Sequence, residues 1–174
     1  MYLVSIYFDE NTNRILNHYI KTVAKHTGNF QMIKGEVPPH ITLSAFDTKH
    51  EQDLLLVLEE CVSKMKSGEL QWVSVGSFLP YVLFVSPVLS EYLHGLSVEV
   101  NQGISKIQDA RIRPCYQPFQ WMPHATIGKK LSQSEMKIAF ETMQHQFGVF
   151  KGTVTKIGLA KTNPYEDIRI WELQ

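Results

Sequence analysis

The chain has 174 residues, a formal net charge of zero and 44% hydrophobic residues, a composition that is ordinary for one folded globular domain. This composition excludes a disordered or collagen-like chain, and no stretch approaches the roughly 20 apolar residues of a membrane-spanning helix. The balanced charge argues against general binding to long nucleic acids, so we expect neither a DNA nor a membrane partner. Cys61 and Cys115 have neither metal spacing nor a close pairing and the sequence shows no export signal, which predicts a cytoplasmic protein.

Hydrophobic periodicity and turn residues predict a regular order of strands and helices up to residue 86. The first helix has its apolar residues on one stripe and Gly28, a typical helix stop, at its end. In chain order we predict a strand (2–8), a helix (10–27), irregular chain (29–39), a strand (40–46), a helix (50–66), a strand (69–78), a turn at Leu79-Pro80 and a strand (81–86).

The remainder of the chain repeats this order and adds one strand. Ser132 and Glu135 form a capping-box pattern at the start of a helix that Gly148 closes. The predicted elements are a helix (88–108), irregular chain (109–120), a strand from Trp121 through Ile127, a helix (132–147) and strands at 150–161 and 166–173, joined at Asn163-Pro164-Tyr165.

The repeated order indicates an internal duplication. We predict a single α+β domain over residues 1–174, made of two structurally duplicated halves at about 1–80 and 81–174. Only two copies of a long unit are present, so the chain is not a solenoid of stacked repeats.

Each half carries the same short pattern, Pro-His-apolar-Thr-apolar. The first copy spans 39–43 and the second spans 123–127, which is 84 residues later. A lone His-x-Ser/Thr is expected about once by chance in a chain of this composition, but two copies that include the preceding proline and the following apolar residue are expected on the order of 10⁻⁴ times. Because residues i and i+2 of a strand share a face, each His and its Thr point the same way, while the apolar residues enter the core.

Two facing imidazoles suit the cleavage of a phosphodiester. Histidine titrates near neutrality, with an ordinary pKa of ~6.5, so one imidazole can act as a general base while the other acts as a general acid. The hydroxyls of Thr42 and Thr126 can hold the non-bridging oxygens of a phosphate between His40 and His124. Nothing in the sequence decides which histidine is the acid.

With these paired motifs, the chain resembles the 2H (two-histidine) phosphoesterase superfamily, and most of all its branch similar to 2′-5′ RNA ligases and cyclic phosphodiesterases. The resemblance implies a bilobal α+β fold, with two pseudo-symmetric antiparallel sheets lining a central cleft and helices outside. It also implies hydrolysis of 2′,3′-cyclic phosphates, or cleavage or joining of 2′-5′ linkages, without a metal or another cofactor. Relatives often carry a basic residue shortly after the second motif, a place that Lys129 occupies here.

Three further residues are candidate substrate contacts. Ser44 follows Thr42 by two positions and has the same strand parity, so it could reach the cleft, although a solvated strand end is the commoner role for such a residue. Tyr116 and Phe119 lie in the proline-rich loop before the second motif, where an aromatic ring can stack on a base.

Other interpretations of the motifs stay open. The histidines and threonines can be structural strand residues, and Asp47 and His50 near the first motif leave open a metal site. Two histidines without further ligands do not complete the usual shell of three or four, so we predict no metal. A non-catalytic nucleotide- or RNA-binding module is the alternative outside enzymes, although arginine would serve a phosphate clamp better than histidine.

The sequence therefore predicts a metal-independent phosphodiesterase of RNA processing. It would hydrolyse 2′,3′-cyclic phosphates of small nucleotides or RNA ends, with His40 and His124 as catalytic residues and Thr42 and Thr126 as phosphate-binding residues. The alternative enzyme is a 2′-5′ oligonucleotide phosphodiesterase or an RNA ligase. We expect the protein to be a monomer.

Overall fold

Across residues 1–162 and 164–174, which the computed structural model describes, the chain forms eight strands and five α-helices, and the seven predicted strands and four predicted helices follow one another in the predicted order. Asn163, part of the predicted final turn, lies outside the described residues. The strands are β1 (Tyr2–Phe8), β2 (Ile41–Asp47), β3 (Gly68–Phe78), β4 (Val82–Pro87), β5 (Arg111–Ile112), β6 (Ala125–Gly128), β7 (Phe150–Lys161) and β8 (Glu166–Glu172). The helices are α1 (Glu10–Thr27), α2 (Gln31–Lys34), α3 (Glu51–Val62), α4 (Glu91–Ile104) and α5 (Gln133–Gln146).

Side-chain caps determine where the long helices begin. Ser132 and Glu135 form the predicted capping box of α5. Helix α4 begins three residues later than predicted, because the Ser90 side chain accepts the amide of Leu93 and caps the helix there. Helix α1 ends at Gly28, whose φ of 74° is a left-handed conformation that glycine adopts without strain.

Two segments predicted to be irregular contain short regular elements. Helix α2 occupies part of 29–39, and β5 with a 3₁₀ turn (Pro114–Tyr116) occupies part of 109–120. Helix α2 has four residues and β5 has two, about one repeat of each structure, so no periodic pattern of apolar residues can be seen for them in the sequence.

The strands form one antiparallel sheet with two lobes. One lobe contains β1, β2 and β5, the other contains β3, β4 and β6, and β7 lies between them. The hydrogen-bonded order is β5-β2-β1-β7-β3-β4-β6, and β8 pairs with β7 beside this path. Strand β7 pairs with β3 through Phe150–Val154, and with β1 and β8 through the rest of its length. The predicted α+β architecture is confirmed, and its two predicted sheets are continuous with each other through β7.

The helices cover the sheet in a crossed arrangement. Helix α1 packs against α5 and β6, whereas α4 packs against α3 and β2. Each motif strand is therefore backed by a helix from the other half of the chain. The duplication into about 1–80 and 81–174 stays a prediction about the order of elements, because the packing interleaves these two ranges.

Aromatic side chains fill the core where the two lobes meet. The Trp72 ring stacks on Phe150 at 5.7 Å between centroids and meets the edge of Phe8 at 5.3 Å. Aromatic pairs in these geometries stabilise a core beyond their buried area. Among residues 1–162 and 164–174, no helix is both long and apolar enough to cross a membrane.

Candidate active site

The two motif histidines occupy equivalent places, each one residue before a motif strand. His40 precedes β2 and His124 precedes β6. The apolar motif residues are buried in the core, as the strand alternation predicts; they are Ile41, Leu43, Ala125 and Ile127.

Each imidazole makes the same hydrogen bond to a backbone carbonyl two residues earlier. Nδ1 of His40 donates to the carbonyl oxygen of Pro38 at 2.8 Å, and Nδ1 of His124 donates to that of Met122 at 2.8 Å. A carbonyl oxygen can only accept, so Nδ1 carries the proton in both rings. The neutral rings therefore present an unprotonated Nε2, which can accept a proton, and the charged rings present an Nε2–H that can donate one.

A β-bulge lies at the last residue of each motif. Along β2, Thr42 pairs with Ser5 and Ser44 pairs with Val4, so Leu43 is the extra residue. Along β6, Thr126 pairs with Phe84 and Gly128 pairs with Leu83, so Ile127 is the extra residue. A bulge breaks the alternation of side chains along a strand. The face that each histidine shares with its threonine therefore does not continue to the residues after the bulge.

This bulge overturns the prediction for Ser44. The side chain is fully buried, and its hydroxyl donates to Oδ1 of Asn101 on α4 at 2.8 Å. Strand parity alone places Ser44 beside Thr42, but the extra residue at Leu43 turns Ser44 towards the helix layer. It is a core residue and not a cleft contact.

The surroundings of the two imidazoles, His124 among those of His40, shift their pKa values. Burial lowers the pKa of His40 below its ordinary value, and the positive charges of His124 and Lys129 lower it further. The bond to Pro38 and the carboxylate of Asp167 oppose this lowering of the His40 pKa. Burial also lowers the pKa of His124. Both histidines are thus held towards the neutral form.

The His124 imidazole packs against two phenylalanine rings. The Phe78 ring meets the imidazole edge to face at 4.7 Å between centroids, and the Phe84 ring lies at 5.3 Å. Gly76 makes room for Phe84, because a Cβ at that glycine would lie 2.6 Å from the ring. The sequence pattern does not single out Phe78, since its contact with His124 depends on the pairing of β3 with β4 and of β4 with β6.

His40 has a polar aromatic neighbour instead. The Tyr7 ring lies 6.2 Å from the imidazole, between centroids. The Tyr7 hydroxyl is 3.3 Å from that of Tyr165, which in turn donates to Oδ1 of Asp167 at 2.7 Å. A chain of hydroxyls thus links the surroundings of His40 to a carboxylate, and no sequence pattern indicates this chain.

The two motif threonines differ in their surroundings. Thr42 is 8% exposed, and its hydroxyl lies 3.3 Å from that of Ser5. Its carbonyl oxygen accepts the indole Nε1–H of Trp121 at 2.9 Å. Thr126 is half-buried on β6. The Thr42 hydroxyl therefore already has a protein neighbour that a phosphate would join or replace.

The remaining candidates lie at different distances from the motifs. Tyr116 is near Thr42: burial raises the pKa of the Tyr116 phenol, and a hydrogen bond to Thr42 opposes this. The Lys129 ammonium comes near Gly35 and acts on His40, so it reaches the first motif from the end of the second. Phe119 is 90% exposed and packs on the His94 ring, at 4.7 Å between centroids. Its aromatic contact is thus with α4 and not with a motif histidine.

Nothing in the described part of the chain resembles a metal centre. Residues 1–162 and 164–174 contain no cluster of three or more His, Cys, Asp and Glu side chains placed to share an ion. Asp47, which the sequence leaves open as a ligand, pairs instead with Arg113 at 3.0 Å and with the N-terminal amine at 3.3 Å. Independence from metals stays a prediction.

Comparison with known proteins gives a consistent result. The family model for the 2′-5′ RNA ligase superfamily matches residues 19–166. Among solved structures, apo LigT of E. coli is 17% identical with a TM-score of 0.61, over 99% of this chain and 96% of LigT. TT0787 of Thermus thermophilus is 14% identical with a TM-score of 0.64, over 99% and 97%. LigT complexed with 3′-AMP is 15% identical with a TM-score of 0.59, over 99% and 96%. No curated protein sequence matches the chain.

Proposed function

The chain belongs to the 2′-5′ RNA ligase superfamily of 2H phosphoesterases, and from that premise we propose that it hydrolyses 2′,3′-cyclic phosphates of nucleotides or RNA ends without a metal. One observation carries the proposal. His40 and His124 have matched Nδ1–carbonyl bonds that leave Nε2 free, and the charge of His124 acts on the pKa of His40.

The chemistry needs one histidine in each protonation state. The neutral imidazole takes a proton at Nε2 from a water molecule as the water oxygen forms a bond to phosphorus. The protonated imidazole gives its Nε2 proton to the ribose oxygen as the bond from that oxygen to phosphorus breaks. Atoms and charge balance with water as the only co-substrate, and the histidine pair ends the turnover with its protons exchanged.

Anion binding would fall to groups around the two imidazoles. The hydroxyls of Thr42 and Thr126 follow the histidines by two positions on the motif strands. Lys129 adds a positive charge near His40. A hydrogen bond from a hydroxyl or an ammonium to a charged phosphate is stronger than one between neutral groups.

A small substrate fits the composition better than a long polymer. The net charge is zero, whereas binding along a phosphate backbone relies on an excess of Lys and Arg. Structures of LigT complexed with ATP, 3′-AMP and NADP⁺ are among those similar in fold. We propose a nucleotide-sized ligand, or the terminal nucleotide of an RNA, for the present chain as well.

Substitution of each histidine tests the proposal. His40→Ala and His124→Ala should each lower kcat on a 2′,3′-cyclic mononucleotide by about 10²–10⁴, the usual contribution of a general acid or base. The double variant should be little slower than either single one, because the two groups act as a unit. The exposed His145 on α5 provides the control His145→Ala, which should keep full activity.

Assays on other substrates separate this proposal from its rivals. A chain that turns over 2′-5′ linked dinucleotides but no cyclic phosphate would be the alternative phosphodiesterase or ligase. A chain that binds nucleotides and turns over neither would be the binding module. Loss of activity in EDTA that zinc or manganese restores would contradict the metal-free mechanism.

A further inference from the structure

Trp121 joins the two motifs by a single hydrogen bond. It lies three residues before His124, is 6% exposed, and donates its indole Nε1–H to the carbonyl oxygen of Thr42 at 2.9 Å. The two residues are 79 positions apart in the chain. The bond therefore connects the segment that enters the second motif with the strand that carries the first.

Within the part of the chain that the structure describes, β2 has no neighbouring strand beside Thr42 on its β5 side. Among the described residues, β5 pairs with Phe46 and Asp47 alone, and the backbone hydrogen bond nearest to the motif on this side runs from the Arg113 amide to the Ala45 carbonyl at 2.8 Å. Nearer to the motif, the donor to the Thr42 carbonyl is a side chain, the indole of Trp121. A buried carbonyl without a donor is costly, so the indole N–H has a role that packing alone does not fill.

The two residues that this hydrogen bond joins are near the two histidines in sequence. Thr42 is two residues after His40, and Met122, whose carbonyl orients the His124 ring, directly follows Trp121. We infer that Trp121 is a positioning residue that sets the separation between the imidazoles of His40 and His124. The inference rests on the proposed function for its catalytic consequence, but the geometry it describes can be measured without turnover.

The separation matters because acid and base must bracket one phosphorus atom. A misplacement of about 1 Å in a catalytic group can cost as much as 10²-fold in rate. The hydrogen bond fixes both the distance and the direction between the motif segments, whereas a hydrocarbon side chain in the same place would hold them by contact alone.

The variant Trp121→Phe keeps an aromatic ring and removes the donor. Its kcat on a 2′,3′-cyclic mononucleotide should fall by about 10- to 100-fold, with KM changed by no more than about twofold. The matched control is Trp171→Phe on β8, because the Trp171 indole N–H is also buried but has no partner among the described residues. A Trp121→Phe enzyme with unchanged kcat, or one slowed no more than the control, would overturn the inference.

A titration makes the test independent of activity. Imidazole signals of His40 are followed by NMR against pH with and without His124→Ala, first in the wild-type background and then in Trp121→Phe. The charges of Lys129 and Asp167, which also act on His40, are common to all four proteins. The change that His124→Ala causes in the pKa of His40 should differ between the wild-type and Trp121→Phe backgrounds. An identical change in both would refute the positioning role.

The two failures are distinguishable. If the wild-type protein does not turn over cyclic phosphates, the proposed function fails, and the titration still decides whether Trp121 sets the separation. If Trp121→Phe does not fold, the wild-type protein is used instead: the Trp121 indole proton should exchange with solvent more slowly than the buried but unbonded one of Trp171. Equal exchange rates for the two indoles would contradict the inference.

Discussion

At the scale of single residues, the proline of each motif explains how its histidine is held. The carbonyl that accepts from His40 Nδ1 belongs to Pro38, and it forms the peptide bond to Pro39. The same relation holds for Met122, Pro123 and His124. Proline fixes its own φ and restricts the residue before it to extended conformations. The proline between acceptor and imidazole thus limits the conformations of the segment that orients the ring.

The first prediction concerns the pH dependence of activity. Burial lowers the pKa of both His40 and His124 below the ordinary value of 6.5. A reaction that needs one neutral and one protonated histidine has a bell-shaped profile centred between the two pKa values of the free enzyme. The optimum of kcat/KM should therefore lie below pH 6.5. An optimum above pH 7, or a flat profile from pH 5 to 8, would mean that other groups carry the protons.

The second prediction concerns stability at the same residue. Because the pKa of His40 is lower in the folded chain than the ordinary 6.5, the unfolded chain binds the proton more tightly, and the free energy of unfolding falls as pH drops below about 6.5. His40→Gln should reduce this loss between pH 7 and pH 5, measured by chemical denaturation. The control His145→Gln, at an exposed position of α5, should follow the wild type. A loss as steep in His40→Gln as in the wild type would contradict the buried neutral imidazole.

At the scale of elements, the sequence predicts the type and order of the long strands and helices well. Their apolar residues recur with the periods of strand and helix, and their ends carry caps such as Ser132 and Gly28. The bulge at Leu43 is beyond such reasoning, because it depends on how β1 lies against β2. That one extra residue is why strand parity places His40 and Thr42 correctly on a common face, and why it fails for Ser44.

The third prediction concerns the buried polar network behind that bulge. Asn101 on α4 is 3% exposed; its amide nitrogen donates to the carbonyls of Ser97 at 2.7 Å and Leu43 at 3.4 Å, and its oxygen accepts from Ser44. Asn101→Leu leaves these groups without their partner and should lower the free energy of unfolding by about 1–3 kcal/mol. Denaturant titration measures the loss.

A double variant tests whether the Asn101 loss comes from the network. Ser44→Ala removes one of the polar groups that Asn101→Leu would leave unpaired. The combined variant should therefore be less destabilised than the sum of the two single ones. Strict additivity of the two losses would indicate that Asn101 contributes by packing alone.

At the scale of the whole molecule, the crossed helices could not be predicted from periodicity. The apolar stripe of α1 shows that the helix packs on something, but not that it packs on β6 and α5 at the other end of the chain. The same holds for β7, whose length predicts a strand but not that one strand serves both lobes. These contacts are set by tertiary packing between distant segments, and the pairing of Thr42 with Trp121 belongs to the same class.

Asp9 lies where this whole-molecule arrangement is joined, at the end of β1 and the start of α1. Its carboxylate accepts the Thr12 amide at 2.9 Å, the Thr12 hydroxyl at 2.7 Å and the Thr153 amide of β7 at 2.6 Å. Burial alone would raise the pKa of Asp9, but these hydrogen bonds outweigh it and hold the pKa below its ordinary value of 3.8. One carboxylate thus ties a strand of one lobe to a helix of the other and to the strand that they share.

The last prediction is the effect of removing this charge. In Asp9→Asn, the side-chain amide offers one acceptor oxygen to the three donors that the carboxylate now binds. The substitution should lower the free energy of unfolding at pH 7 by about 1–2 kcal/mol, allowing for partial exposure of the site. Since the folded pKa is depressed, the contribution of Asp9 is fully present well above pH 3.8 and is lost as the pH falls through the folded pKa. The difference between wild type and variant, measured by denaturation from pH 7 downwards, should therefore persist to about pH 5 and shrink below that. Glu10→Gln, which alters an exposed carboxylate in the first turn of the same helix, is the control; an equal loss in that variant would show that the helix end, and not the junction of the lobes, is what the Asp9 charge stabilises.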